Sequence, residues 1–295
     1  MSADARIQQV LRFSNYMASG FPYYTDIYVP IVNTITYNAN IILKMSTNTW
    51  YTVRSNGGNS TIDRLVIGDA LLGTFSETTL TGDTITIVGT VSSNHQHYCQ
   101  VAWWNSTTLA IFTVDQDSPY ALKLYTCTLG GVVTSKGTLI ASVDYSLTGL
   151  QVGINSTKIY VQTTNNSGNF NNYIYEFLKT DLSIVNYTMP LLYVSLGGGS
   201  TIRYFDYHLM TVTSNYLWFL NRGSDGSMYL WISSILNIDK MICVSGDMSH
   251  VLAFSNSTGF YYGTDYDGLT VYFTGNNGKG AFYIAEGDLI KYGAL

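Results

Sequence analysis

Short runs rich in β-branched and aromatic residues fill most of this chain, and small polar turns break them at regular intervals. Five turns share one make-up, Asn beside Ser or Thr: Ser46-Thr47-Asn48-Thr49, Asn105-Ser106-Thr107, Asn155-Ser156-Thr157, Ser214-Asn215 and Asn256-Ser257-Thr258. An aromatic-rich strand is expected after each turn: Trp50 to Arg54, Leu109 to Val114, Ile159 to Thr163, Tyr216 to Leu220 and Phe260 to Gly263. A loop of Gly, Asn, Asp and Ser follows. A third strand is then expected at Asp63 to Gly68, Ala121 to Thr126, Tyr173 to Lys179, Met228 to Ile232 and Leu269 to Thr274. A fourth β-rich segment closes each unit, as at Ser183 to Thr188 and Lys240 to Ser245. No amphipathic helix separates the strands, which excludes a βαβ architecture.

Four antiparallel strands in about 40–60 residues is the period of a propeller blade. A lone four-stranded sheet exposes two faces and two edges, whereas radial packing buries the faces. The pattern therefore resembles a β-propeller: an all-β chain of five or six four-stranded blades with a short N-terminal helical or extended segment. Residues 1–36 lie outside the repeat and 37–295 form the propeller domain. The N-terminal segment holds an expected helix, Ala3 to Met17, with Ile7, Val10 and Leu11 on one face. It also holds an apolar stretch from Phe21 to Val32, within which Asp26 to Asn33 alternates like a strand. Either that strand joins the last blade to close the ring, or the two chain ends build a sixth blade. An arm docking on a neighbouring subunit is the other use of this segment.

Composition narrows the partners. Charged residues make up 11% of the chain and the formal charge is −5, against a usual charged fraction of about 25%. The 14 Lys and Arg are scattered singly, so no basic stripe exists for nucleic acid. No apolar run has the roughly 20 residues that span a bilayer, and no basic region with an apolar core marks a secretory signal. Three cysteines, Cys99, Cys127 and Cys243, are too few for a disulfide framework.

Candidate chemistry is sparse. His95, His97 and Cys99 share a strand face if that stretch is extended, and imidazole with thiolate is a zinc or copper donor set. The surrounding Ser93 and Asn94 read instead as a loop entering a strand, so no metal and no cofactor is assigned. Asp265-Tyr266-Asp267-Gly268 reads as a tight turn before it reads as a calcium site. Gly197-Gly198-Gly199-Ser200 lacks the lysine of a phosphate loop. Ser224-Asp225-Gly226-Ser227 ahead of Trp231 echoes a sialidase Asp box with the wrong spacing. Six Asn-x-Ser/Thr sequons, at Asn59, Asn105, Asn155, Asn165, Asn186 and Asn256, include three of the repeated turns. Trp103-Trp104 and the tyrosine-rich strands either stack on sugars or fill contacts between blades.

A binding surface is expected where the loops between second and third strands gather. Its candidates are Asn56, Asn59, Asp115, Asp117, Asn166, Asn169, Arg222, Asp225, Asp265 and Asp267. Few charges, few cysteines and abundant Tyr, Thr and Asn resemble virion surface proteins of viruses of hot-spring archaea. That resemblance implies a non-enzymatic structural or recognition role in a virion or extracellular surface, as a capsid or tail component or in host attachment. Its partners would be other surface-assembly proteins and host-cell glycans, in an acidic setting. A carbohydrate-binding lectin is the first alternative, and a carboxylate-dependent glycosidase the second.

Acid unfolds proteins largely by protonating carboxylates whose folded pKa is depressed. Their contribution is present above the unfolded value near 4 and is lost as pH falls through the lower folded value. With only 19 Asp and Glu and 14 Lys and Arg in 295 residues, both that loss and the self-repulsion of the acid form are small. Thermal unfolding at about pH 3 and pH 7 is expected to give similar melting temperatures; a collapse at the lower pH would contradict this.

Overall fold

The structure is a computed structural model that describes residues 24–28, 39–56, 60–69, 72, 74–87, 98–115, 120–143, 147–165, 171–188, 191–193, 206–222, 228–243, 261–264, 270–274 and 279–285. The expected helix Ala3 to Met17 lies outside them.

Among the described residues the regular elements are β-strands and one 3-10 turn at Met45–Thr47. It begins with β1 (Tyr24–Tyr28). Sheet I runs β2 (Ile42–Lys44), β3 (Thr49–Arg54), β5 (Arg64–Asp69) and β6 (Phe75–Thr79), with β4 (Thr61–Ile62) set aside to pair with β8 (Ile85–Thr86). Sheet II runs β9 (Cys99–Asn105), β10 (Thr108–Val114), β11 (Leu122–Thr128) and β12 (Val132–Ile140), and β7 (Thr81–Gly82) lies parallel on its outer edge. Sheet III is β13 (Leu147–Ile154), β14 (Lys158–Asn165), β15 (Asn171–Leu178) and β16 (Ile184–Thr188). Sheet IV is β18 (Asp206–Val212), β19 (Tyr216–Arg222), β20 (Met228–Ser234) and β21 (Asn237–Cys243), edged by the parallel β17 (Leu191–Tyr193). Sheet V is β22 (Tyr261–Thr264), β23 (Thr270–Thr274) and β24 (Lys279–Ala285), and β1 completes it by pairing antiparallel with β24.

The first strands form the ring. Each of β2, β9, β13, β18 and β22 touches the first strands of the two sheets beside it, and β22 returns to β2. This is a β-propeller, with the sheets radiating from an inner circle of strands.

Four of the repeated turns are the connections from first to second strands. Asn105 Oδ1 accepts from the Thr107 amide at 3.0 Å and from its hydroxyl at 3.2 Å. Asn155 Oδ1 does the same with Thr157 and also takes the Lys158 amide at 2.8 Å. These local bonds stand in for backbone pairing at the reversal. Asn48 sits at φ 50°, a left-handed conformation that Asn tolerates better than most residues. Asp181 repeats the device after β15, accepting from the Ser183 hydroxyl at 2.6 Å and amide at 3.0 Å, and the hydroxyl bond holds its carboxyl below the usual range.

Between the sheets lie separate apolar layers. Ile42, Tyr51, Val53 and Leu65 of sheet I meet Val101, Trp103, Leu109 and Ile111 of sheet II. On the other side of sheet II, Ala110, Phe112, Leu122 and Leu124 meet Leu150, Val152, Ile159, Val161 and Phe177 of sheet III. Sheets III and IV meet through Tyr160, Ile174, Met210, Val212, Leu217, Phe219 and Trp231. Alternation along each strand supplies two neighbours from one sheet.

Aromatic bulk sets the packing limits. Trp50 on β3 lies opposite Gly68 on β5, and a Cβ at Gly68 would fall 1.7 Å from Trp50 Cε2. The indole is fully buried and has no room to retreat. Gly68→Ala is expected to destabilise by about 1–3 kcal/mol, the usual cost of overpacking, read as a lower urea midpoint at unchanged slope; an unchanged midpoint would show that the indole does not need the glycine.

Candidate functional site

In each antiparallel sheet, the loop between second and third strands lies at the end where the first strand begins. In a propeller the first strands run the same way along the axis, so these loops and strand starts share one face of the ring. Sheets I to IV follow the arrangement expected from the sequence. Sheet V does not: β22 is its first strand, and the segment 265–269 joins first to second. The Asn256-Ser257-Thr258 turn matches the other four in composition, but it precedes a first strand here. Asp265 and Asp267 therefore belong to a connection of the opposite kind from the other candidates.

Of the remaining candidates, Asn59, Asp117, Asn166, Asn169 and Asp225 lie outside the described residues, as do Asp265 and Asp267. Asn56 is exposed and its amide donates to Asp63 Oδ1 at 2.8 Å. Arg222 ends β19 directly opposite Asp206, the first residue of β18. Among the described first strands, Asp206 is the only carboxylate-bearing position.

Asp115 is the best-defined group on this face. It directly follows the second strand of sheet II and is 1% exposed. Thr86 Oγ1, carried by the β4–β8 ribbon, donates to Asp115 Oδ1 at 2.7 Å, and the Lys123 ammonium binds Oδ2. The Asp115 amide donates to the Ala121 carbonyl at 2.8 Å. Charge, hydroxyl and backbone thus lock the ribbon and the β10–β11 connection to sheet II. On sheet I, Arg54 holds Glu77 by two bonds of 2.8 Å.

Asn40, which the sequence reading passed over, precedes β2 at the same end. Its Nδ2 donates to the Val101 carbonyl at 3.0 Å and its Oδ1 accepts the Val101 amide at 2.6 Å. A buried amide side chain so imitates a strand and zips two first strands together. Thr52 Oγ1 completes the joint through the Asn40 carbonyl at 2.9 Å.

The tryptophan pair lies at the other end. The Lys44 ammonium stands 5.8 Å from the Trp103 ring, and that of Lys179 stands 4.6 Å from the Trp104 ring. Lys44 donates to the Ser106 carbonyl at 3.1 Å, and Lys179 to that of Trp104. Burial lowers the Lys179 pKa. Lysines from sheets I and III thus clamp sheet II from both sides, and the indoles serve contacts between sheets. Cys99 is buried in the layer facing sheet I, and burial raises its thiol pKa; Cys127 is pushed up to about 12 by the same cause. Neither presents a thiolate. His95 and His97 lie outside the described residues. Among the described residues no cluster of three or more His, Cys, Asp or Glu could hold a metal ion, and no helix is long and apolar enough to cross a membrane.

No family model matches the sequence, and no curated protein does. Solved structures match the fold. The catalytic domain of the GH62 α-L-arabinofuranosidase of Coprinopsis cinerea superposes with a TM-score of 0.51 at 12% identity, covering 91% of this chain and 98% of that one. An α-L-arabinofuranosidase of Lactobacillus brevis gives 0.50 at 11% identity, over 87% of this chain and 92% of that one. An endo-arabinase of Bacteroides thetaiotaomicron gives 0.50 at 12%, over 87% and 95%.

These neighbours correct the functional reading drawn from composition. Two of these neighbours are arabinofuranosidases and one is an endo-arabinase, so the lack of a local catalytic motif does not make the ring a passive scaffold. The non-enzymatic assignment falls, and with it the virion, capsid, tail and host-attachment roles. The physical reason is that low charge and abundant aromatics follow from packing sheets face to face around an axis. They carry no information about the particle or cell surface on which a protein sits.

Asp115→Ala removes the buried partner of Lys123 and the acceptor of Thr86. It is expected to cost about 2–3 kcal/mol in urea unfolding; a loss below about 0.5 kcal/mol, the range of ordinary surface substitutions, would show that the network is dispensable.

Proposed function

We propose that this propeller is a glycoside hydrolase that acts outside the cell on arabinose-containing saccharides. The observation that supports this reading most is the match of the ring to nearly the whole of an arabinofuranosidase catalytic domain. Glycoside hydrolysis needs a carboxylic acid to protonate the leaving oxygen and a carboxylate to activate water or attack the sugar. Such groups have to converge from different sheets at one end of the axis.

Asp206 is the first choice for one of the pair. It starts an innermost strand, on the face where the second-to-third loops gather, and Arg222 stands opposite it in register. Asp225 falls in the sequence between β19 and β20, and Asp247 between β21 and β22. The strand ends that these segments join lie on that same face, which makes these two the candidates for the second carboxyl. Asp115 is not among them, because Thr86 and Lys123 already occupy its oxygens.

The test is turnover of 4-nitrophenyl arabinofuranoside and of arabinan by the purified chain. Asp206→Asn is expected to lower kcat about 100-fold or more, as removal of a general acid or base does, while the fold and sugar retention persist. Asp225→Asn and Asp247→Asn identify the partner. Wild-type protein that is retained on arabinan but turns over no glycoside would overturn the proposal and leave a sugar-binding module.

A further inference from the structure

Sheet III has two unlike faces. The face toward sheet II is mainly apolar, with Leu150, Val152, Ile159, Val161 and Phe177. The face toward sheet IV carries a polar stripe of Gln151 on β13, Tyr160 and Gln162 on β14, and Glu176 on β15. All four are buried, between 0% and 4% exposed. Glu176 is ion-paired with Lys158. The Tyr160 hydroxyl has no hydrogen-bond partner, and the two glutamines go further. They lie directly opposite each other in the β13–β14 register, yet Gln151 Oε1, Gln162 Oε1 and Gln162 Nε2 have no protein hydrogen-bond partner.

Such a pair is costly. An orphaned buried amide group loses its hydration without return, and folded proteins rarely leave one so. Solvent cannot reach it from outside. Sheet IV covers it with Met210, Val212, Leu217 and Phe219, and the two sheets approach so closely that a Cβ at Gly153 would stand 3.1 Å from Val212 Cγ1. A cation is disfavoured, because two neutral amides supply no charge and Lys158 already neutralises Glu176. The three unpaired amide atoms, two acceptors and a donor, match what one internal water requires, since buried waters make about three hydrogen bonds each.

We infer that Gln151 and Gln162 form an internal water-binding site between sheets III and IV, with at least one ordered water completing both amides. The site adds a polar joint to an otherwise oily ring and fixes the facing of these two sheets.

The experiment combines a high-resolution crystal structure of the wild-type chain with a double-mutant cycle. A water within hydrogen-bonding distance of Gln151 Oε1 and of the Gln162 amide is expected. Gln151→Leu and Gln162→Leu are each expected to lower the melting temperature by roughly 2–6 °C, because each strands the water and the other amide. The double variant should lose less than the sum, since it removes the need for water altogether. Two results would overturn the inference. One is a direct Gln151–Gln162 amide bond with no water at the site. The other is a rise in melting temperature for each single variant, adding in the double, which is the behaviour of amides that were never satisfied.

Discussion

Everything in this molecule depends on closing the ring. β1 precedes every repeat in the sequence, yet it forms the outer strand of the last sheet, with Tyr24 opposite Phe282 and Thr25 opposite Ala281. Without it β24 would present a bare edge, the usual template for unwanted pairing. The entropy of joining such distant residues is modest, because loop closure grows only logarithmically and each doubling of length adds about 0.6 kcal/mol. The price is kinetic, since the pairing forms only after long-range order exists. Closure also gives every first strand two neighbours, and this holds the strand starts on one face in fixed relation.

The layers between sheets are not equivalent. The I–II layer is apolar but is pinned at one end by Asn40 on the Val101 backbone and at the other by Lys44 on Trp103. The II–III layer is apolar and is clamped at its rim by Lys179 over Trp104. The III–IV layer has a polar stripe within it. Flat apolar faces slide against one another at little cost, whereas directional bonds set one register. A ring of similar sheets needs such marks, because the apolar residues alone would accept several rotations of one sheet on the next.

The repeat was legible because each unit carries its own turn chemistry. Asn105 and Asn155 make the bonds that their Ser/Thr neighbours imply, and the strands of sheets I to IV fall where the turns place them. Sheet V was offset by one strand because Asn256-Ser257-Thr258 has the same composition at a different topological position. Local pattern reports that a chain reverses, not which pair of strands it joins. The buried amides were harder to read. Gln151 between Leu150 and Val152, and Gln162 after Val161, look like ordinary outward positions of half-buried strands. Only when both faces of a sheet are covered does a polar residue at such a position become an interior group. Asp115 read as a binding-loop residue for the same reason, whereas it is 1% exposed.

The candidate site was the least legible part, and the architecture explains why. A nucleophile elbow or a phosphate loop packs its reactive groups into one turn, so their spacing survives in the sequence. A propeller draws them from the ends of strands on separate sheets, and one or two residues per sheet leave no local signature. Scarcity of charge sharpens the consequence. In a chain with 11% charged residues, an ionised carboxyl at the mouth of the ring has few charged neighbours to screen or oppose it. The low-dielectric sheet ends around it strengthen each pairwise interaction several-fold over its value in water. Asp206 and Arg222 hold opposite positions in the register of sheet IV at that end of the ring, in a chain where few other charges compete with them. A weakly charged ring is therefore no obstacle to acid–base chemistry: it lets a few well-placed carboxyls set the local field.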